Sequence, residues 1–385
     1  MPWRTVEVRE QRVQFVVAAA RKEKPLLELC REFGISRPTG YAWLGRYQQQ
    51  GIEGIRERSR RPQQSPRQTS GEQERLVVQC RLRYPDWGAR KLQVLLRREG
   101  TELTRSTIHR ILLRYDLVHD EDRSTEATKR FERENPNELW QMDFKGSRGW
   151  PGSVGPLSVL DDHSRYVLVL RALGSTLRGP VQEQLQQAFQ DCGVPAAMLM
   201  DHGVPWWSAR SPSGFTHLNV WLMKQGIDLC WSGIRHPQTQ GKVERFHGEL
   251  QRAAERRGLS QDLSGWLERF RWEHNHVRPH EALGMRTPAQ VWQPSPRRYD
   301  PRPPAWEYGR AAKVLKVDCQ GKVDAWGQRW LIGQALSGER IGLHRFGERA
   351  HVYYCATLIR ELDFVNQRSL LVNRWLTDEV PKPKL

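Results

Sequence analysis

The sequence predicts a multidomain chain in which two all-helical modules precede a mixed α/β core, with a small β module behind it. Three observations carry this reading. Apolar residues recur at helical spacing through residues 1–120, strand-length apolar runs alternate with helical patterns through 136–300, and short strands alternate with glycine turns after a proline-rich link. With 38% hydrophobic and 27% charged residues the composition is globular, and no apolar run approaches the ~18 residues of a membrane span. A membrane protein is therefore excluded. The six cysteines lack any C-x-x-C spacing, which argues against a zinc module or disulfide framework and for buried free thiols. MPWRTVEVREQR carries charges where a signal peptide needs its apolar stretch, so the expected location is cytoplasmic.

Charge points to a partner. The chain has 61 Lys+Arg against 44 Asp+Glu, a net +17, and only 12 of the 61 are Lys. Arginine's planar fork suits phosphates and guanine edges, so nucleic acid is the leading partner. The excess sits at the ends: residues 1–70 carry 14 basic against 7 acidic side chains, 301–385 carry 14 against 9, and 136–300 carry 19 against 16. Attraction for polyanions is thus assigned to flanking modules, while the middle keeps carboxylates for other work.

In the first module (1–55), Val13, Val16, Val17 and Ala20 mark a helix over 8–20. A second helix runs from Pro25 to Phe33 and stops at Gly34. Ser36 is placed to cap a third, Arg37 to Gln49, with Tyr41, Leu44 and Tyr47 available for packing. Helix, glycine turn, helix is the helix-turn-helix plan, which nominates Arg37, Thr39 and Arg46 for base or phosphate contact. Gly40 weakens that helix by up to ~1 kcal/mol. The stretch 56–70, RERSRRPQQSPRQTS, reads as a basic linker whose Arg60 and Arg61 suit a minor groove. A second helix-turn-helix module (71–120) follows, with helices over 72–83, 89–98 and about 104–115. Arg105, Ser106, His109 and Arg110 begin its last helix and are the expected DNA-facing residues.

The core (137–292) contains strand-length runs at 139–144, 157–160, 166–170, 196–200 and 227–231, with helical patterns from Leu177 to Phe189 and from His217 to Lys224. Asp143 in WQMDF and Asp201 in LMDHG fall at strand ends, where open α/β sheets gather ligands and metals. In HPQTQGKVERFHGEL, Val243, Phe246 and Leu250 share one helical face, so Glu244 is turned about 100° from Val243 to the edge of that buried face. Carboxylates so placed suit a hard divalent cation. Asp161 and Asp162 in LDDHSR read as turn-capping residues.

These motifs, with EHNHVRPHEALGMRTPAQVW after them, resemble the integrase-type DDE transposases of bacterial insertion sequences, relatives of retroviral integrases with an RNase H-like catalytic core. The resemblance implies that Asp143, Asp201 and Glu244 form the catalytic and metal-binding triad, holding two Mg²⁺ or Mn²⁺ ions per active site. It implies a transposase that binds inverted terminal repeats, nicks and joins strands in target DNA, self-associates as a dimer or higher multimer on DNA, and is nucleoid-associated when bound. No membrane partner is expected. Lys242, Arg245 and His247 flank Glu244 and are read as phosphate-holding residues of the element end. Asn275, Arg278 and His280 in NHVRPH are read as structural or DNA-adjacent. Trp206 or Trp207, in the long loop after Asp201, is available to stack on an unpaired base. The alternative is a catalytically inactive DNA-binding regulator derived from a transposase.

Five short strands follow QPSPRRYDPRPPAW, and the resemblance implies a small SH3-like β-barrel over 305–360, with a basic face from Arg329, Arg340, Arg345 and Arg349. Residues 361–385 read as a C-terminal tail.

Overall fold

The computed structural model describes residues 8–56, 68–118, 132–208, 211, 213–231 and 241–372. The chain divides into two compact units, 1–69 and 70–385. No helix among the described residues is long and apolar enough to cross a membrane.

In the first unit, α1 (Val8–Ala20), α2 (Leu26–Glu32) and α3 (Arg37–Gln50) close over Phe15, Val16, Leu29, Cys30 and Ile55. Ser36 caps α3 as its sequence promised, its hydroxyl accepting from the Thr39 amide at 3.4 Å. Tyr41, expected to pack, is 64% exposed. Gly40 has a positive role that helix propensity hides: a Cβ there would lie 2.5 Å from Cys30 Sγ and 3.1 Å from Phe15 Cζ. Its missing side chain lets α3 approach the other two helices. The linker arginines Arg60 and Arg61 lie outside the described residues.

The second unit opens with α4 (Gly71–Arg83), α5 (Ala89–Arg98) and α6 (Arg105–Arg114). A reciprocal Ser70/Gln73 capping box starts α4, and Thr104 caps α6. Val77, Trp87, Leu92, Leu96, Ile108 and Ile111 fill their shared interior.

The core sheet contains β1 (Leu139–Phe144), β2 (Pro156–Asp161), β3 (Val167–Ala172), β4 (Ala197–Met200) and β5 (Asp228–Trp231), ordered β3-β2-β1-β4-β5. β2 is antiparallel to both β1 and β3, whereas β4 runs parallel to β1 and to β5. This is the mixed α/β sheet that the strand-length runs predict. Trp140 and Met142 face α7 (Arg178–Cys192) and α8 (His217–Lys224), while the alternation of β1 turns Gln141 and Asp143 the other way. The second face is covered by α9 (Gly241–Arg257) and α10 (Leu263–His276), whose Phe246, Leu250, Leu267 and Phe270 pack with Leu160, Val167 and Leu170.

The C-terminal module departs from expectation. β6 (Lys313–Lys316), the hairpin β7 (Lys322–Ala325) and β8 (Gln328–Leu331), β9 (Arg340–Phe346), β10 (Arg349–Tyr354), β11 (Thr357–Asp363) and β12 (Arg368–Leu371) form two sheets. The larger has the order β12-β11-β10-β9-β6, and β7 pairs only with β8. β6 and β12 are opposite edges, so the expected barrel is not closed among the described residues. Strands also continue past 360 into the segment read as a tail. Its pattern is disguised by Arg360, which is buried and donates to the Ile332 and Ser369 carbonyls at 3.1 Å each.

Gly40→Val should destabilise the first unit by about 1–3 kcal/mol through overpacking. Denaturant unfolding of the full chain measures this, and an unchanged midpoint would contradict the close approach.

Candidate active site

Asp143 stands near the end of β1, with its side chain 20% exposed. Asp201 follows the last residue of β4, the strand parallel to β1, and its Oδ1 accepts from the Gly203 amide at 2.9 Å. Glu244 projects from the first turn of α9, exposed, while Val243 and Phe246 on either side are buried. Asp143 and Glu244 line one open cleft with Lys145, His247, Gln251 and Arg252. Asp201 does not line that cleft but lies close enough for its charge to act on Asp143. Burial first, then Asp201, then Glu244 push the Asp143 carboxyl up to about 7. Asp143 is thus buried with two like charges acting on it.

Among the described residues no three His, Cys, Asp or Glu side chains are grouped to hold a metal ion. Asp143 and Glu244 are the two carboxylates that line the cleft. Mg²⁺ typically takes one or two protein carboxylates and keeps several waters.

Behind the cleft runs a buried polar bracket. Asp162, fully buried, accepts from Gln141 Nε2 at 2.7 Å and from the Arg133 amide at 2.8 Å, and pairs with Lys242 Nζ at 2.6 Å. Gln141 Oε1 in turn accepts from the Val243 amide at 3.3 Å. Gln141 and Asp143 sit two residues apart on one strand, and Lys242 and Glu244 two apart on one helix, so the bracket sets the start of α9 against β1. Its neighbour Asp161 accepts from the Asn137 and Ser164 amides and the Ser164 hydroxyl, the turn-capping role its position suggested. Asp162 does more than cap.

The bracket corrects two of the residues read as phosphate-holding. Lys242 points inward to Asp162, and burial pushes its amine down to about 8 against that carboxylate's pull. His247 is buried, with Nε2 3.0 Å from Ser158 Oγ and Nδ1 3.7 Å from Asp143 Oδ2. Burial pushes its imidazole down to about 3, so the ring is neutral, held by Ser158 and turned inward. Arg245 is exposed. Lys145 and Arg252, which sequence reasoning passed over, are the basic residues in the cleft. Their signal is spacing: Lys145 lies two residues after Asp143, and Arg252 two helical turns after Glu244.

Trp206, offered as a stacking platform, is 1% exposed and stacks on Phe144, whereas half-buried Trp207 meets His202 and Trp231 edge-on. Asn275 is structural, donating to the Val167 carbonyl and accepting from the Val167 amide at 2.9 Å each. In the helical modules Arg37, Thr39, Arg105, Ser106, His109 and Arg110 are exposed. Thr39 shares a 2.8 Å hydrogen bond with Ser36, and Arg46 lies with Arg12 over the Trp43 ring.

Comparison with known proteins agrees with this organisation. A helix-turn-helix domain model matches residues 11–63, a homeodomain-like domain model residues 39–112, and an integrase core domain model residues 225–288. The chain is 25% identical over 214 residues to an uncharacterized 31.7 kDa protein of insertion element IS407 from Burkholderia multivorans, covering 53% of this chain and 74% of that protein. It is 27% identical over 172 residues to an uncharacterized protein of insertion element IS136 from Agrobacterium fabrum, covering 40% and 82%. The solved catalytic core domain of BIV integrase aligns with 40% of this chain and 93% of its own length at 22% identity and a TM-score of 0.33. The family models thus place helix-turn-helix domains in the N-terminal part of the chain and an integrase core domain over 225–288. The chain resembles the integrase-type transposases of bacterial insertion sequences.

Two predictions follow from the buried groups. Asp162→Ala leaves Lys242 without its buried partner and should cost about 3–5 kcal/mol, whereas the double replacement Asp162→Ala with Lys242→Met should recover much of it. Chemical denaturation of the three chains checks this, and equal losses in single and double variants would contradict the pairing. Burial holds His247 down to about 3 and His274 down to about 4, both from 6.5. A depressed base binds fewer protons folded than unfolded, so stability is full above pH 6.5 and falls as pH drops toward 4. A thermal midpoint that stays flat from pH 7 to pH 4.5 would contradict neutral burial of these rings.

Proposed function

We propose that the chain is a DNA transposase that binds the inverted terminal repeats of a mobile element through its helical modules and nicks and joins DNA strands at the carboxylate cleft. The observation that carries this is Asp143, buried at the cleft beside Glu244 and raised further by the Asp201 charge. Like charges at a strand end, one of them lifted to about 7, are expensive unless cations are their intended occupants. The carboxylate oxygens of Asp143, Asp201 and Glu244 would hold Mg²⁺ or Mn²⁺, two ions per site. Bound there, the ions would supply Lewis-acid activation of the attacking oxygen and stabilisation of the leaving one.

The chain's own residues supply the rest. Gln141 and Asp162 hold the helix start that carries Glu244 against the strand that carries Asp143. His247, neutral beside Asp143, adds no positive charge to compete for the carboxylate. Lys145 and Arg252 border the cleft and are suited to receive the backbone phosphates flanking the scissile bond. The nucleophile is water in nicking and a DNA 3′-hydroxyl in joining, so no covalent protein intermediate is needed. Arg37, Thr39 and Arg46 in the first module, and Arg105, Ser106, His109 and Arg110 in the second, are the proposed DNA contacts, with Arg245 beside the cleft. Two ends must be processed together, so assembly as a dimer or higher multimer on DNA is part of the proposal.

Replacing Asp143 or Asp201 by Asn, or Glu244 by Gln, should lower terminal-repeat cleavage and joining at least about a thousandfold while leaving end binding within a few-fold of wild type. Assays on a terminal-repeat duplex decide this, and undiminished joining by any of the three would remove that residue from the triad. Binding should weaken steeply with salt, with a log–log slope near −0.9 per phosphate contact, and Arg105→Ala should reduce the slope by about 1. An unchanged slope would place Arg105 off the DNA.

A further inference from the structure

The second helical module meets the catalytic core through a cluster of buried charges, and these charges belong to motifs that the cleft does not use. Asp86, in the YPDWG turn between α4 and α5, is 1% exposed at its side chain and sits between two core arginines. Arg278 of the NHVRPH segment, 3% exposed, pairs with Asp86 at 2.8 Å and with Glu249 of α9 at 3.2 Å. Arg257, at the end of α9, also pairs with Asp86 and with Glu273 of α10 at 2.8 Å. Lys91 of α5 reaches Glu249 at 3.8 Å. Arg278 further lies over the Trp87 ring and Arg257 over the Tyr84 ring, both rings belonging to the module.

Backbone contacts extend the seam. Arg256 donates to the Pro85 carbonyl at 2.8 Å, Arg98 donates to the Val277 carbonyl at 3.2 Å, and the Val277 side chain packs into the module's own apolar core. Burial pushes the Asp86 and Glu249 carboxyls up, but the surrounding cations outweigh it and hold both below the ordinary carboxylate range. Removing six charges from water is costly and adds little net stability over an apolar seam. What such a cluster does supply is a single docking geometry, because each charge must find its partner.

We infer that this cluster makes the second module a fixed ruler: α6 and the carboxylate cleft move as one body, so the base pairs that α6 reads determine which phosphodiester is cut. The inference rests on the proposed transposase reading for its DNA end, but the rigid docking can be measured without catalysis. Asp86, Arg257 and Arg278 are positioning residues and touch no substrate.

The test has two arms on the full chain. Spin labels at Leu113→Cys on α6 and Leu177→Cys at the start of α7, both exposed sites, are introduced with Cys319→Ala, which removes the exposed cysteine among the described residues. The distance distribution should be narrow in this background and broad when Asp86→Asn is added. Arg257→Met, which leaves the module's own sequence intact, should broaden it likewise. Arg90→Ala, which breaks only the exposed Arg90–Glu281 pair, should not. In the second arm, cut positions are mapped on a terminal-repeat duplex. The wild type should cut one phosphodiester, and Asp86→Asn and Arg257→Met should bind the end within about threefold yet spread cutting over several neighbouring positions. A broad distribution already in the parent, or an unchanged narrow one in both variants, overturns rigid docking by this cluster. Narrow docking lost in the variants with a single unshifted cut overturns the ruler. Absence of any cutting by the wild type refutes the transposase reading, and with it the ruler, while the distance arm still decides the docking.

Discussion

The burial of Asp143 beside the charges of Asp201 and Glu244 is the constraint on which the site depends. Separated carboxylates in water ionise freely, but here burial and two like charges lift Asp143 to about 7. Nothing in the folding of a sheet requires this, and the Asp143 carboxyl would ionise more readily away from the other two charges. The fold tolerates it because β1 and β4 are parallel neighbours whose ends coincide, and because α9 crosses the same face of the sheet with its apolar stripe buried. Strand order thereby sets which charges meet, and the apolar stripe sets how near the third comes.

Buried polar groups elsewhere serve the same end. Asp162 with Gln141 and Lys242 ties the start of α9 to β1, and Asp86 with Arg257 and Arg278 ties the second module to α9 and the segment after α10. Breaking one partner of such a pair costs far more than the pair contributes in net stability. Their arrangement suits specification better than stabilisation: one sets the start of α9 against β1, and the other joins the second module to α9 and the segment after α10. Asn275 adds a third case, clamping one residue of β3 through both its amide and carbonyl.

Periodicity made most elements legible. The helices at Val8–Ala20, Ala89–Arg98 and His217–Lys224 and the strand at Leu139–Phe144 match their apolar patterns to the residue. The three acidic motifs stood out because each ends a strand or begins a helix. What stayed hidden was long-range or masked by chemistry. Arg360 broke the apparent alternation of β11, since a buried guanidinium satisfied by two carbonyls looks exposed in a sequence. Lys242 and His247 looked like surface groups beside Glu244, and only the tertiary positions of Asp162 and Ser158 turn them inward. Barrel closure was read from strand count, which says nothing about whether β6 and β12 pair. The inward role of Gly40 was equally invisible, since propensity records its cost and not the approach of Cys30.

Crystals of the full chain with a terminal-repeat duplex and Mn²⁺, measured at an energy where manganese scatters anomalously, test the central claim most directly. Two manganese peaks are expected within coordination distance of the Asp143 carboxylate, one shared with Asp201 and the other with Glu244. Manganese bound only elsewhere, or the three carboxylates free of metal beside a bound DNA end, would contradict it.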